Sequence, residues 1–199
     1  MFALTLKILG VGSSMREGSF STAALKTALE MTKKSGVESR LLDLQKTQLP
    51  MFYSQKIETN EMKQVKDSVK WADAFILATP DYHGSMSGTM KNFLDYFWSD
   101  FAGKLFGYIC ASHEKGLTAM DQMRTAVRQC YGWSMPYGVS IHGEEDFENG
   151  VLTNTKLKSR LRMLARDLIV YGDVVRRQFL EDLEKDVPDT YASHYRKAE

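Results

Sequence analysis

The residues with the clearest capacity for chemistry run Gly12-Ser13-Ser14-Met15-Arg16-Glu17-Gly18-Ser19-Phe20-Ser21-Thr22. Five hydroxyls in this stretch supply neutral donors, and Arg16 supplies a full charge on a planar fork suited to phosphate. An apolar run, Leu4 to Val11, precedes the stretch, and Ala24, Leu25, Ala28, Leu29 and Met31 follow it at helical spacing. The sequence therefore reads strand, loop, helix. A helix start offers unpaired N–H groups and the positive end of a dipole, so the loop points to capture of a phosphate monoester. A plainer reading stays open here, in which Ser19 or Ser21 caps the helix and Gly12 and Gly18 make turns. The loop has neither a Gly-Lys-Ser/Thr ending nor G-x-G-x-x-G, which excludes a triphosphate-binding loop of the Walker type and a dinucleotide-binding Rossmann unit.

A second segment, Pro80-Asp81-Tyr82-His83-Gly84-Ser85, leaves the end of the apolar run Ala72 to Thr79. Tyr82 and His83 beside Gly84 offer a flat aromatic surface, a hydrogen-bonding ring and a place of close backbone approach. A lone loop histidine is more often a surface residue than a catalyst, and no direct chemical role is assigned to His83. The helix that follows carries an apolar stripe, Met90, Phe93, Leu94 and Phe97, which belongs to the core or to a subunit interface. A third loop, Ser112 to Gly116, follows the strand-like Gly103 to Cys110.

These loops need a frame. Val37 to Leu44 alternates as an edge strand does, and Pro50 marks the stretch after it as loop. Glu61 to Trp71 reads as an amphipathic helix, Met120, Met123 and Val127 mark another, and Tyr137 to His142 is a fifth strand. Leu157 to Ile169 defines a long last helix. The turn Glu144-Glu145-Asp146 reads as a solvated acidic face rather than a metal site. Five strands alternating with helices imply one α/β domain, a parallel sheet covered on both faces. In such sheets ligands sit beyond the carboxyl ends of the strands, where all three loops fall.

Composition narrows the classes further. With 199 residues, 43% of them hydrophobic and a formal charge of +1, the chain suits a single soluble domain and no dedicated nucleic-acid binder. No apolar stretch is long enough to span a membrane and no signal-peptide layout opens the chain, so a cytoplasmic protein is expected. Cys110 and Cys130, far apart and without a C-x-x-C pattern, read as two free buried thiols.

The loop Gly12 to Ser21, taken with Thr79-Pro80-Asp81-Tyr82-His83-Gly84-Ser85-Met86-Ser87-Gly88-Thr89-Met90-Lys91-Asn92-Phe93-Leu94-Asp95, resembles the NADPH-dependent FMN reductase family of flavodoxin-like proteins. The second segment is the more specific, since it keeps the Lys-Asn-x-x-Asp ending. The resemblance implies a three-layer, doubly wound, five-stranded parallel sheet of order 2-1-3-4-5. It implies a flavodoxin-like FMN-binding domain over residues 1–180 and a charged C-terminal tail over 181–199.

By the same resemblance Ser13, Arg16, Ser19, Phe20 and Ser21 hold the FMN phosphate end. Pro80, Asp81, Tyr82, His83, Gly84 and Ser85 border the flavin ring, with Ser112 at the third loop. Three departures accompany it. One extra residue separates Gly12-Ser13 from the arginine, Ser21 replaces the family asparagine, and Ser112 to Leu117 differs from the family's S-x-G-x-x-G-G. The implied activity is FMN-dependent oxidation of NADPH or NADH with a small-molecule electron acceptor, such as a free flavin, a quinone, an azo compound or a metal ion. Ping-pong kinetics would follow, with no catalytic side chain and no resident metal. A homodimer or homotetramer is implied, with Met86 to Trp98 and Trp133 to Tyr137 suited to an interface. The rivals are a flavodoxin-type electron carrier, disfavoured by the near-neutral charge, and a flavin-free scaffold of the same fold.

Overall fold

The computed structural model describes residues 6–53 and 59–196; Leu4 and Thr5 of the first apolar run and the last three residues lie outside it. Strand β1 (Lys7–Gly12) leads into α1 (Phe20–Lys34) and edge strand β2 (Glu38–Asp43), and α2 (Asn60–Trp71) leads into β3 (Ala74–Tyr82). The hairpin strand β4 (Ser85–Met86), α3 (Gly88–Asp95), β5 (Leu105–Ala111) and α4 (Leu117–Gln129) follow. Two short strands, β6 (Trp133–Ser134) and β7 (Val139–Ile141), precede a small hairpin, β8 (Phe147–Glu148) and β9 (Val151–Leu152). Helices α5 (Thr155–Lys185) and α6 (Tyr191–Arg196) end the described chain.

The main sheet runs β2-β1-β3-β5, with β6 and β7 both on the outer side of β5 and every one of these pairings parallel. This is the expected 2-1-3-4-5 order, with one correction: the fifth strand is broken. Its two pieces pair with Leu105–Phe106 and with Ile109–Ala111, and Met135 to Gly138 between them contains Pro136, which has no N–H to give a ladder.

Side chains alternate across the sheet as period-two strands require. Leu9, Val11, Phe75, Leu77, Phe106 and Tyr108 point to the layer of α2, α3 and α4. Ile8, Ala74, Ile76, Ala78, Leu105 and Ile109 point to the layer of α1 and α5. Phe75 and Phe106 stack with centroids 4.5 Å apart, and burying each ring is worth about 2 to 3 kcal/mol. Gly10 is where α1 comes closest, since a Cβ there would meet the Leu29 side chain at 2.7 Å.

The stripe Met90, Phe93, Leu94 and Phe97 is core, buried around Phe101. Helix α3 covers only Gly88–Asp95, capped by Ser87, whose Oγ accepts from the Met90 N–H. Cys110 is buried and Cys130 half-buried, and both are free thiols. Helix α5 continues past residue 181, and α6 folds back onto it: Ala192 is buried and the Tyr191 hydroxyl donates to the Tyr131 carbonyl. Among the described residues no helix is long and apolar enough to cross a membrane.

Candidate active site

The carboxyl ends of β1, β3, β5 and β7 open onto a cleft of about 400 Å³. Its walls include Arg16, Ser19 and Phe20 from the first loop, Pro80, Asp81 and Tyr82 from the end of β3, and Ser112 after β5.

At one end stands the start of α1. Ser19 occupies the N-cap position, yet its side chain makes no capping bond, because its Oγ pairs with the Ser21 Oγ at 2.9 Å. Helices α2, α3 and α5 are capped by Thr59, Ser87 and Asn154. The first-turn N–H groups of α1 are left without a side-chain acceptor, and no acidic residue lies in that turn. The capping reading of the hydroxyl loop therefore fails for Ser19. Beside it the Arg16 N–H bonds to the Ser14 Oγ at 3.2 Å, while the guanidinium makes no hydrogen bond among the described residues.

Ser13 and Ser21 are set behind this surface. Ser13 is fully buried: its Oγ donates to the Ala78 carbonyl at 3.1 Å and accepts from the Ser87 Oγ at 2.8 Å. The Thr89 hydroxyl donates to the Ser13 carbonyl at 2.6 Å. Ser13 thus ties the first loop to the start of α3 across a sequence gap of 74 residues.

Strand β3 runs two residues past Pro80, the expected end, because Asp81 and Tyr82 pair antiparallel with Met86 and Ser85. His83 and Gly84 turn the corner at φ of 57° and 74°, the pair of left-handed residues that a tight two-residue hairpin requires. The hairpin keeps Asp81 and Tyr82 at the cleft and carries His83 and Gly84 out to solvent. Ser85 faces a separate groove of about 710 Å³ between α3 and α4, where its Oγ donates to the Gln122 side chain at 2.7 Å.

Asp81 is the polar pivot. Its Oδ2 accepts from the Ser112 hydroxyl at 2.7 Å, and its Oδ1 is buried without a partner. A buried acceptor of this kind costs free energy until a donor arrives. Nearby, burial pushes the Cys110 thiol up to about 12, with the Asp81 charge adding to the effect, so it stays protonated and is no nucleophile. The third loop turns into α4 at Gly116, with φ +60° and no room for a side chain: a Cβ would lie 2.4 Å from the Cys110 Sγ.

The fifth-strand turn also reaches the cleft, which the reading from sequence missed. His142, Gly143, Glu144 and Glu145 line it, as do Ser14, Ala111 and His113. The acidic turn is not simply solvated: Asp146 is buried, its Oδ2 accepting from the His142 N–H at 2.7 Å and its Oδ1 from the Asn154 amide at 2.6 Å. That clamp holds Gly143 against the Phe20 ring, which packs 5.2 Å from Phe147. The available signal was position alone, since the turn follows the carboxyl end of a parallel strand.

The Lys-Asn-x-x-Asp segment lies outside the cleft and ties α3 to the loop after β2. Lys91 and Asp95 form an i,i+4 ion pair at 2.5 Å. Asn92 accepts from the Phe52 N–H at 2.7 Å and donates to the Pro50 carbonyl at 2.9 Å, and the Tyr96 hydroxyl donates to the same carbonyl at 2.9 Å. Pro50 to Tyr53 is thereby pinned along α3.

One end of the cleft can hold an anion, its flank can receive a flat ring, and Asp81 awaits an N–H donor. Comparison with known proteins agrees with that chemistry. The family described as NADPH-dependent FMN reductase matches residues 6–146. An NADPH azoreductase of a Bacillus species is 28% identical over 151 residues, which cover 72% of this chain and 85% of the relative. An FMN-dependent NADPH-azoreductase of Staphylococcus aureus is 28% identical over 181 residues, 83% of this chain and 95% of the relative. Among solved structures, the flavoenzyme NAD(P)H:(acceptor) oxidoreductase FerB of Paracoccus denitrificans superposes with a TM-score of 0.73 at 17% identity, covering 85% of this chain and 98% of that one. The chain belongs to the NADPH-dependent FMN reductase family of flavodoxin-like fold and is an FMN-dependent NAD(P)H oxidoreductase.

Proposed function

We propose that FMN binds in the cleft with its phosphate at the start of α1 and its ring along Pro80, Asp81 and Tyr82 toward Ser112. The observation that carries this reading is the uncapped N-terminus of α1, opening beside an uncommitted Arg16 guanidinium. The first-turn N–H groups, Ser14, Ser19 and Arg16 bind the phosphate. The orphaned Asp81 Oδ1 supports the ring end, since a flavin presents an N–H on its pyrimidine edge. Ser13, buried against Ser87 and Ala78, acts as a brace for the loop, and Ser21 keeps Ser19 from capping the helix.

Bound FMN supplies the hydride relay between NAD(P)H and the second substrate. The protein's part is to fix that group and leave one face of it open. A small planar acceptor that takes the place of the nicotinamide, such as a quinone, suits such a face, and the azoreductase relatives favour an azo compound. Free thiols at Cys110 and Cys130 favour the reducing cytoplasm. Exposed Trp98 and Trp133 suit a subunit contact, in a homodimer or a homotetramer.

Titration of FMN into flavin-free protein, followed by quenching of flavin fluorescence, tests the placement. Arg16→Ala removes charge-assisted bonds worth about 1.5 to 3 kcal/mol and should weaken binding roughly 10- to 100-fold. Unchanged affinity would refute the phosphate site.

A further inference from the structure

The Ser13 carbonyl is held toward the start of α3, which lies outside the cleft. It accepts from the Thr89 hydroxyl at 2.6 Å, and the Ser87 Oγ stands 3.3 Å from it. Each hydroxyl of this cluster has one proton to give. Ser87 gives its own to the nearer Ser13 Oγ at 2.8 Å, and Ser13 gives its own to the Ala78 carbonyl at 3.1 Å, so the carbonyl depends on Thr89. Behind them the Ser87 N–H donates to the Thr79 Oγ1 at 2.9 Å, and the Thr79 hydroxyl donates to the Pro80 carbonyl at 3.0 Å. Ser13, Thr79 and Ser87 are all buried. Every hydroxyl proton of the cluster has an acceptor, which leaves the Ser13 carbonyl one settled direction.

A trans peptide is planar, with its N–H pointing opposite to its C=O, and the described residues contain no cis peptide. A carbonyl drawn to α3 therefore turns the Ser14 N–H the other way, to the side on which Ser14 lines the cleft. That N–H has no hydrogen-bond partner among the described residues. Met15, Glu17 and Gly18 are exposed, so water reaches their N–H groups, and the Arg16 N–H is committed to the Ser14 Oγ; Ser14 itself is only 3% exposed. Buried N–H groups without a partner are rare, and one that opens on a ligand cleft marks a donor kept for the ligand.

We propose that the Ser14 N–H donates to a phosphate oxygen of FMN, and that Thr89 is the positioning residue that aims it. This rests on the placement of the phosphate at the start of α1 proposed above. Thr89 touches no ligand; it acts through the plane of the Ser13–Ser14 peptide, while Ser87 fixes the Ser13 side chain beside it. Without the Thr89 hydroxyl the carbonyl loses its nearest donor and the peptide plane is free to rotate. The effect falls on the phosphate and not on the ring, so it discriminates FMN from riboflavin, which lacks the phosphate.

The test compares the affinities of FMN and riboflavin, by quenching of flavin fluorescence, in the native protein and in Thr89→Val, Thr89→Ser and Arg16→Ala. Thr89→Val removes the hydroxyl at similar volume and should weaken FMN about tenfold while leaving riboflavin unchanged. Thr89→Ser restores the hydroxyl and should restore the native ratio of the two affinities. In isotopically labelled native protein the Ser14 amide proton resonance should move downfield with FMN and stay in place with riboflavin. That measurement stands even if a variant fails to fold, which far-UV circular dichroism checks. A ratio that Arg16→Ala lowers and Thr89→Val does not would overturn the role of Thr89 and leave the phosphate site intact. Equal weakening of both flavins by Thr89→Val would also overturn it, since a merely structural role gives that result. A Ser14 amide that FMN does not move would overturn the donor. If neither Arg16→Ala nor Thr89→Val lowers the ratio, the phosphate site itself fails and this assignment falls with it.

Discussion

Replacing Lys104 with methionine should change how stability depends on pH, with a sign that the structure dictates. Lys104 is only 5% exposed; its ammonium donates to the Val69 carbonyl at 2.8 Å and lies 5.7 Å from the Phe75 ring centroid. Burial first, and then the nearby Arg176 charge, lower its pKa from the ordinary 10.5 to about 8, against an opposing pull from Asp73 and Asp100. Below about pH 8 the folded and unfolded chains both hold the proton, so stability is independent of pH and the cost of the buried charge is fully present. Between about 8 and 10.5 the unfolded chain keeps the proton while the folded chain releases it, so stability rises with pH. At 1.36 kcal/mol per pH unit the full gain is about 3 kcal/mol, of which about 2 kcal/mol is present by pH 9.5.

Other groups oppose it over the same range. The Cys110 thiol, raised from 9.0 to about 12, and the buried Tyr108 hydroxyl, also raised, stay protonated in the fold after the unfolded chain has released them, so their contribution falls with pH. Urea unfolding of both proteins from pH 7 to 9.5 isolates the lysine, because these groups are common to the two and cancel. The native-minus-variant stability should be flat near pH 7 and climb by about 2 kcal/mol. A flat or falling difference would refute the buried ammonium.

Asp81→Asn should weaken FMN binding about tenfold, since the charged acceptor facing the cleft is lost, while flavin-free protein melts no lower than native; fluorescence titration beside a thermal melt checks both. Gly116→Ala forces a left-handed non-glycine residue and a Cβ onto Cys110, and should cost about 2 to 4 kcal/mol in urea unfolding. A neutral result would mean that the third loop is not packed as described. Asn92→Ala releases Pro50 to Tyr53 from α3 at about 2 kcal/mol, which for a chain of this size lowers Tm by roughly 4 to 8 °C in calorimetry; an unchanged Tm would remove the clamp from the account.

What could be read from the sequence follows physical range. The hydroxyl loop, the edge alternation of β2 and the apolar periods of α1 and α5 are local patterns, and each stands where its spacing puts it. Interactions between distant segments were not legible. Ser13 looks like any serine of a phosphate loop until Ser87, 74 positions on, turns it inward. Asp146 looks solvated because its partners, His142 and Asn154, signal nothing until the chain doubles back through β8 and β9. Pro136 did carry a local signal, and the break it makes in the fifth strand follows from its missing N–H. The β3–β4 hairpin was hidden because Pro80 reads as a stop, yet the strand passes through it in register with Ala111.

The most direct test of the central claim is anaerobic addition of NADPH, and separately NADH, to protein loaded with FMN and freed of excess, followed by its visible absorbance. The account predicts that the flavin band bleaches with at least one nucleotide and returns when a quinone or azo compound is added. A band that persists with both nucleotides, in protein that has retained its FMN, would contradict it.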